Sequence, residues 1–122
     1  MKLTVKEHNG VQAAILTSQE PLIGDVRSAL DVILSAGYES ECDRLVINKE
    51  ALSEEFFQLS TRLAGEILQK FVTYQIKLAI YGDFSQYTSK ALRDFIRESN
   101  QGNQIFFLET EEEALDAITK AK

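Results

Sequence analysis

Between Arg44 and Tyr74 the chain passes from three consecutive apolar residues (Leu45, Val46, Ile47) through a polar turn at Asn48 and Lys49 into a long amphipathic stretch. A strand of nearly continuous apolar character is covered on both faces, which is the condition of a parallel sheet flanked by helices. Ile76 to Tyr81 and Ile105 to Leu108 are further apolar runs, each followed by a helical period. The chain therefore alternates strand and helix, and parallel neighbours are joined by right-handed crossovers.

The helical periods can be placed. Asp25 to Ala36 sets Val26, Ala29, Leu30, Ile33 and Leu34 on one face, with Asp25 able to cap the start and Gly37 the end. Arg27 and Asp31 lie one turn apart and predict a weak surface pair. Ser53, Glu54 and Glu55 open a short helical turn carrying Phe56 and Phe57. In the helix after it, Leu63, Ile67, Leu68, Phe71 and Val72 form the apolar stripe, while Arg62, Glu66 and Lys70 are spaced to satisfy one another's charges. A third helix, from about Thr88 to Asn100, turns Ala91, Leu92, Phe95 and Ile96 inward. Thr110 with Glu113 three residues on matches a reciprocal capping pattern and opens a last helix on Ala114, Leu115 and Ile118.

Ahead of all this, residues 3 to 7 and 11 to 17 flank Asn9-Gly10, the pair best suited to a tight hairpin turn. His8, the only histidine, is predicted to be a surface turn residue. The predicted order is β-β-α-β-α-β-α-β-α: an α/β fold with a mixed sheet of four to five strands and about four helices. A chain of 122 residues makes this one domain, 1–122, able to bury roughly two-thirds of its unfolded surface without metals or disulfides.

Charge and cysteine content narrow the partners. Thirteen basic against 19 acidic residues give a net charge of −6, which opposes a nucleic-acid backbone or an anionic membrane surface. Cys42 stands alone and can form no internal disulfide, as suits a reducing compartment. The opening residues lack the apolar run of a signal peptide, and no stretch approaches a membrane span. A cytoplasmic protein is expected.

Candidate chemistry gathers at the carboxyl ends of the two central strands, the edge where open α/β sheets bind ligands. Asn48, Lys49, Asp83 and Ser85 fall there. Ser60 and Thr61 sit where the second helix begins, and the unpaired N–H groups of a helix start favour a capping hydroxyl or an anion. Arg62 adds a cation beside them. There is no phosphate-binding glycine loop, no nucleophile elbow and no metal-ligand spacing, so neither a cofactor nor a metal is expected. Phe56, Phe57, Tyr74, Phe84 and Tyr87 are either core residues or aromatic anchors for a partner.

Phe57-Gln58-Leu59-Ser60-Thr61-Arg62-Leu63-Ala64 and the element order resemble the STAS domains, the anti-sigma-factor antagonist superfamily. In that family an Asp-Ser-Ser-Gly-Leu-Gly type motif follows an aromatic and opens the second helix, and a partner kinase phosphorylates one of its serines. Phe57, Ser60, Leu63 and Ala64 agree in type, and Thr61 stands at the modified position, with Ser60 beside it. Leu59 replaces the acidic residue and Arg62 the first glycine, so the acid of the family motif is missing and the helix start carries a bulky cation.

Cys42-Asp43-Arg44, Asn48-Lys49, Thr61 through Phe71, Gly82-Asp83-Phe84-Ser85 and Glu98-Ser99-Asn100 carry a second, more specific resemblance: over these residues the chain resembles a bacterial domain-of-unknown-function family, DUF4180.

These readings converge on a non-catalytic regulatory or binding module. Its partner is a protein or a small anion, engaged by Ser60, Thr61 and Arg62 with Asn48, Lys49, Asp83 and Ser85 around them. The alternative is a small enzyme or small-molecule-binding protein using the edge around Lys49 and Asp83. A homodimer through the hairpin or an edge strand is a further expectation, since an uncovered edge invites pairing.

Overall fold

The computed structural model describes residues 1–122. Five strands, β1 (Lys2–His8), β2 (Val11–Thr17), β3 (Arg44–Asn48), β4 (Lys77–Tyr81) and β5 (Ile105–Leu108), form one sheet in the order β1-β2-β3-β4-β5. Only the β1–β2 pair is antiparallel; the other three pairings are parallel. Asn9 (φ 54°) and Gly10 (φ 75°) both adopt the left-handed backbone that a two-residue hairpin turn of this hand requires.

Four helices, α1 (Val26–Val32), α2 (Leu63–Thr73), α3 (Lys90–Asn100) and α4 (Glu111–Lys120), cover the sheet unequally. Strand side chains alternate between its faces. Leu45, Ile47, Leu78, Ile80 and Phe107 pack against Ala29, Ile67, Phe71 and Leu92 of α1, α2 and α3. Val46, Ala79, Phe106, Ala13 and Ile15 meet α4 alone, through Ala114, Leu115 and Ile118. Each large apolar side chain sealed this way contributes roughly 1.5–3 kcal/mol.

Caps define the helix starts. The Asp25 carboxylate accepts the Ser28 N–H at 2.8 Å while the Ser28 hydroxyl accepts the Asp25 N–H at 3.1 Å, a reciprocal box. At α4 the Thr110 hydroxyl accepts the Glu113 N–H at 3.1 Å and donates to the Glu113 carboxylate at 3.0 Å. The returning arm there thus goes side chain to side chain instead of to the Thr110 backbone.

Several local expectations are corrected. Gly37 does not close α1: the helix widens into a π-helical segment, Ile33–Tyr38, that contains it. A Cβ at position 37 would lie 3.3 Å from Ile76 Cδ1, so the glycine serves close packing, and the left-handed residue that turns the chain is Glu41 (φ 60°). Leu34, predicted to face the core, is exposed in this wider winding and Val32 is buried in its stead. Val72 and Ala91 also face solvent. No ion pair forms between Arg27 and Asp31 or among Arg62, Glu66 and Lys70; every ion pair involves other residues.

Two long-range contacts hold α4 in place. The Arg44 guanidinium donates to the carbonyls of Ile118 at 2.8 Å and Ala121 at 2.7 Å, satisfying acceptors that a helix end leaves open. At the other end of the chain, His8 Nε2 lies 3.2 Å from the Asp116 carboxylate, and the Asn9 amide donates to Asp116 and Thr119. His8 is thus part of a tether as well as a turn.

Candidate functional site

Four connections leave the carboxyl ends of the parallel strands: residues 18–25 after β2, 49–62 after β3, 82–89 after β4 and 109–110 after β5. The second is wound into three 3-10 turns, Lys49–Ala51, Glu54–Phe57 and Leu59–Thr61, which carry the chain from the strand to the start of α2. The seven predicted site residues fall on these connections or at the strand end beside them. The structure joins them as two groups, with no hydrogen bond or ion pair between the groups.

The first group is Asn48, Lys49, Asp83 and Ser85. Asn48 is buried, and its carboxamide is fully engaged: it accepts the Ser18 N–H at 2.9 Å and donates to Ser18 O at 2.6 Å and Glu50 Oε1 at 3.1 Å. It is a clamp between the ends of β2 and β3. Lys49 is only 8% exposed. Its stem lies where a Cβ on Gly82 would come within 2.7 Å, which accounts for glycine there, and its ammonium sits 5.1 Å from the centre of the Tyr87 ring. No carboxylate comes within 4 Å of it.

Tyr87 caps this lysine and is itself anchored. Its hydroxyl donates to the Glu54 carboxylate at 3.2 Å, and its ring stacks on Phe57 at 5.0 Å. Burial, followed by the adjacent Glu54 charge, pushes the Tyr87 phenol up to about 12. Asp83 and Ser85 form an exposed turn of their own, the Asp83 carboxylate accepting the Ser85 hydroxyl at 2.6 Å and its N–H at 2.9 Å. Those two bonds, more than the charge of Lys49, hold the Asp83 carboxyl below its ordinary value.

The second group is Ser60, Thr61 and Arg62, all exposed at the amino end of α2. The Thr61 hydroxyl donates to Gln58 O at 2.8 Å and accepts the Leu63 N–H at 3.2 Å, so it caps the first helical amide. The Ser60 hydroxyl has no protein partner. Arg62 occupies the left-handed region (φ 64°, ψ 5°) at the N-cap position, and its guanidinium makes no hydrogen bond or ion pair. Its carbonyl accepts the Glu66 N–H at 3.2 Å, while the amides of Ala64 and Gly65 find no acceptor within the protein.

The aromatics divide clearly. Phe56 and Phe57 are buried, and Phe84 and Tyr87 are half-buried against Phe57 and Phe107. The exposed aromatics are Tyr38 and Tyr74, 6.1 Å apart at the opposite end of the sheet. They border the largest hollow of the molecule, about 890 Å³, which opens beside the amino ends of β3 and β4 and also touches Cys42, Arg44, Lys77 and Gln104. Nothing local in the sequence marks it, because its walls come from four separated segments. Two of its three cations, which include Lys122, serve the fold: Arg44 holds α4, and the Lys77 ammonium donates to Asn103 O at 2.8 Å. Burial, then the neighbouring Arg44, lowers the Lys77 pKa.

No cluster of three or more His, Cys, Asp or Glu side chains is arranged to hold a metal ion, and no helix is long and apolar enough to cross a membrane. A family model described as a domain of unknown function, DUF4180, matches residues 8–118. No curated protein and no solved structure matches the chain.

Proposed function

Because the chain belongs to the DUF4180 family, whose description assigns no activity, we propose from the site itself that it is a non-catalytic binding module of STAS-like fold. It takes a small anion, or a partner protein presenting one, at the start of α2. The observation that carries this reading is the pairing of an exposed, unneutralised guanidinium on Arg62 with the unbonded amide of the exposed Gly65 beside it. A helix start of this kind attracts negative charge by its N–H groups and its dipole, and the adjacent cation adds to both.

The STAS-like assignment draws support from the same place. Arg62 stands where the resembled motif has its first glycine, and it keeps the left-handed backbone that a glycine adopts freely. Ser60, with an exposed and unbonded hydroxyl, is the better phosphate acceptor of the two candidates, since modification of Thr61 would break its cap on Leu63. A phosphoryl group on Ser60 would place up to two negative charges beside Arg62. Asn48, Lys49, Asp83 and Ser85, which no hydrogen bond or ion pair joins to this helix start, take no part in the reading.

Titration of labelled protein with inorganic phosphate tests the reading. Saturable shifts confined to the amides of residues 60–66, lost in Arg62→Ala, are expected. Absence of such shifts in the wild type, together with no phosphoryl transfer to Ser60 or Thr61 in extracts of the native host, would overturn it.

The rival reading, small-molecule chemistry at Lys49 and Asp83, has less behind it. Asp83 and Ser85 border a hollow of about 420 Å³, but Lys49 lies beneath Tyr87 and does not line it.

A further inference from the structure

The two edges of the sheet are finished differently. On β5, four residues long, the Asn100 carboxamide donates to Phe107 O at 3.0 Å and accepts the Phe107 N–H at 2.7 Å. One side chain from α3 thus imitates a neighbouring strand and closes that edge. On β1, seven residues long, no side chain bonds the backbone and no element lies outside it. Long bare edges are what proteins ordinarily avoid.

The side chains of β1 are also sorted. Lys6 and His8 point to the α4 face, where they lie 3.2 Å from Glu111 and Asp116. Leu3 and Val5 point to the α1 face and are each 44% exposed. Leu3 there borders an apolar groove of about 380 Å³ with Leu16, Leu22, Val32 and Ala36. Whatever completes this edge must supply a strand and, on the α1 side only, apolar side chains at alternate positions.

We infer that the occupant is a second copy of this chain, joined β1 to β1 about a two-fold axis perpendicular to the sheet. Such an axis keeps faces together, so antiparallel pairing centred on Thr4 sets Leu3 of each copy opposite Val5 of the other, on the side of the two grooves. On the opposite side Lys2, which has no carboxylate within 4 Å in its own chain, arrives opposite Lys6 of the copy. That like-charge pair is offset by Glu111 of the copy, which lies 3.2 Å from its Lys6 in the acidic first turn of α4. The hairpin is rigid before pairing, because Asn9 fastens its tip to Asp116 and Thr119, so little ordering is required on association. The result is one ten-stranded sheet whose outer edges are both closed by Asn100.

Sedimentation equilibrium of the full chain at about 100 μM tests this in a range where a weak dimer still populates. The wild type is expected at twice the monomer mass, and Leu3→Lys with Val5→Lys at monomer mass, the dimer weakened at least about tenfold by facing like charges. Hydrogen exchange on the wild type keeps the test independent of how that variant folds. The β1 amides are expected to gain protection as protein concentration rises, with those of β5 unchanged. A monomeric wild type, a dimer untouched by the double substitution in a folded variant, or concentration-dependent protection at β5 instead of β1 would each overturn the inference.

Discussion

Replacing Arg62 by glycine separates what this residue does for the fold from what it does for the ligand. A side chain at φ 64° costs roughly 1–2 kcal/mol relative to the right-handed region, and glycine does not incur it. Against this, glycine loses more freedom on folding, about 0.5–1 kcal/mol. Because the Arg62 side chain touches no partner, nothing else is surrendered. Arg62→Gly is therefore expected to stabilise the protein by about 0.5–1 kcal/mol, which for a chain of this size raises the melting temperature by roughly 2–4 °C. Arg62→Ala keeps the strained backbone and is expected to leave stability within about 0.5 kcal/mol of the wild type. Both variants remove the cation, so both are expected to abolish the phosphate-induced shifts at Ala64 and Gly65. Urea unfolding of the three proteins with a common slope provides the comparison. A glycine variant no more stable than the alanine variant would refute the strain argument. Phosphate binding that survives in either would refute the ligand role.

Asn48→Ala strands the Ser18 N–H and C=O in a buried setting and is expected to cost about 2–4 kcal/mol in urea unfolding. Gly82→Ala forces a Cβ to 2.7 Å from Lys49 Cβ and is expected to cost about 1–3 kcal/mol, with a changed Tyr87 environment in near-ultraviolet circular dichroism. Thr61→Ala is expected to lose about 1 kcal/mol of capping, while Ser60→Ala is expected to be neutral, as thermal melts of the two will show. The Asp116 carboxyl is lowered to about 2 by its hydrogen bonds from Lys120 first, then Asn9 and His8. A depressed acid lends stability that is present above its unfolded value near 3.8 and is lost as pH falls toward 2, so Asp116→Asn is expected to be less stable than wild type at pH 7 and equal to it at pH 2.

The features written in neighbouring residues were legible. Asn9-Gly10 announces its hairpin, Asp25 its helix start, and Leu45-Val46-Ile47 a strand with both faces covered, because each depends on contacts within a few positions. The misses are contacts between distant segments. Arg44 reads as the residue that opens a strand, yet it caps a helix 74 residues away; Asn100 reads as a helix terminus, yet it completes a strand. Asn48 offers the same lesson at the site: its residue type suggests a ligand contact, whereas Ser18, 30 positions earlier, occupies it. Gly37 misleads in another way, since a glycine demanded by a neighbour's bulk looks the same in a sequence as one demanded by a turn. The left-handed turn at Arg62 has no local sign, as arginine is a residue that avoids it.

That one face of the sheet depends on α4 alone bears on how the molecule comes into being. Until α4, made after the five strands and the three helices of the other face, packs into place, Val46, Ala79 and Phe106 have no cover and form a bare, adhesive β-surface. Nothing made earlier can cover them. The ten residues of α4 thus decide whether a nascent chain matures or sticks to its neighbours, and a translational pause or a lesion in that short stretch would be felt as aggregation well before it was felt as lost activity.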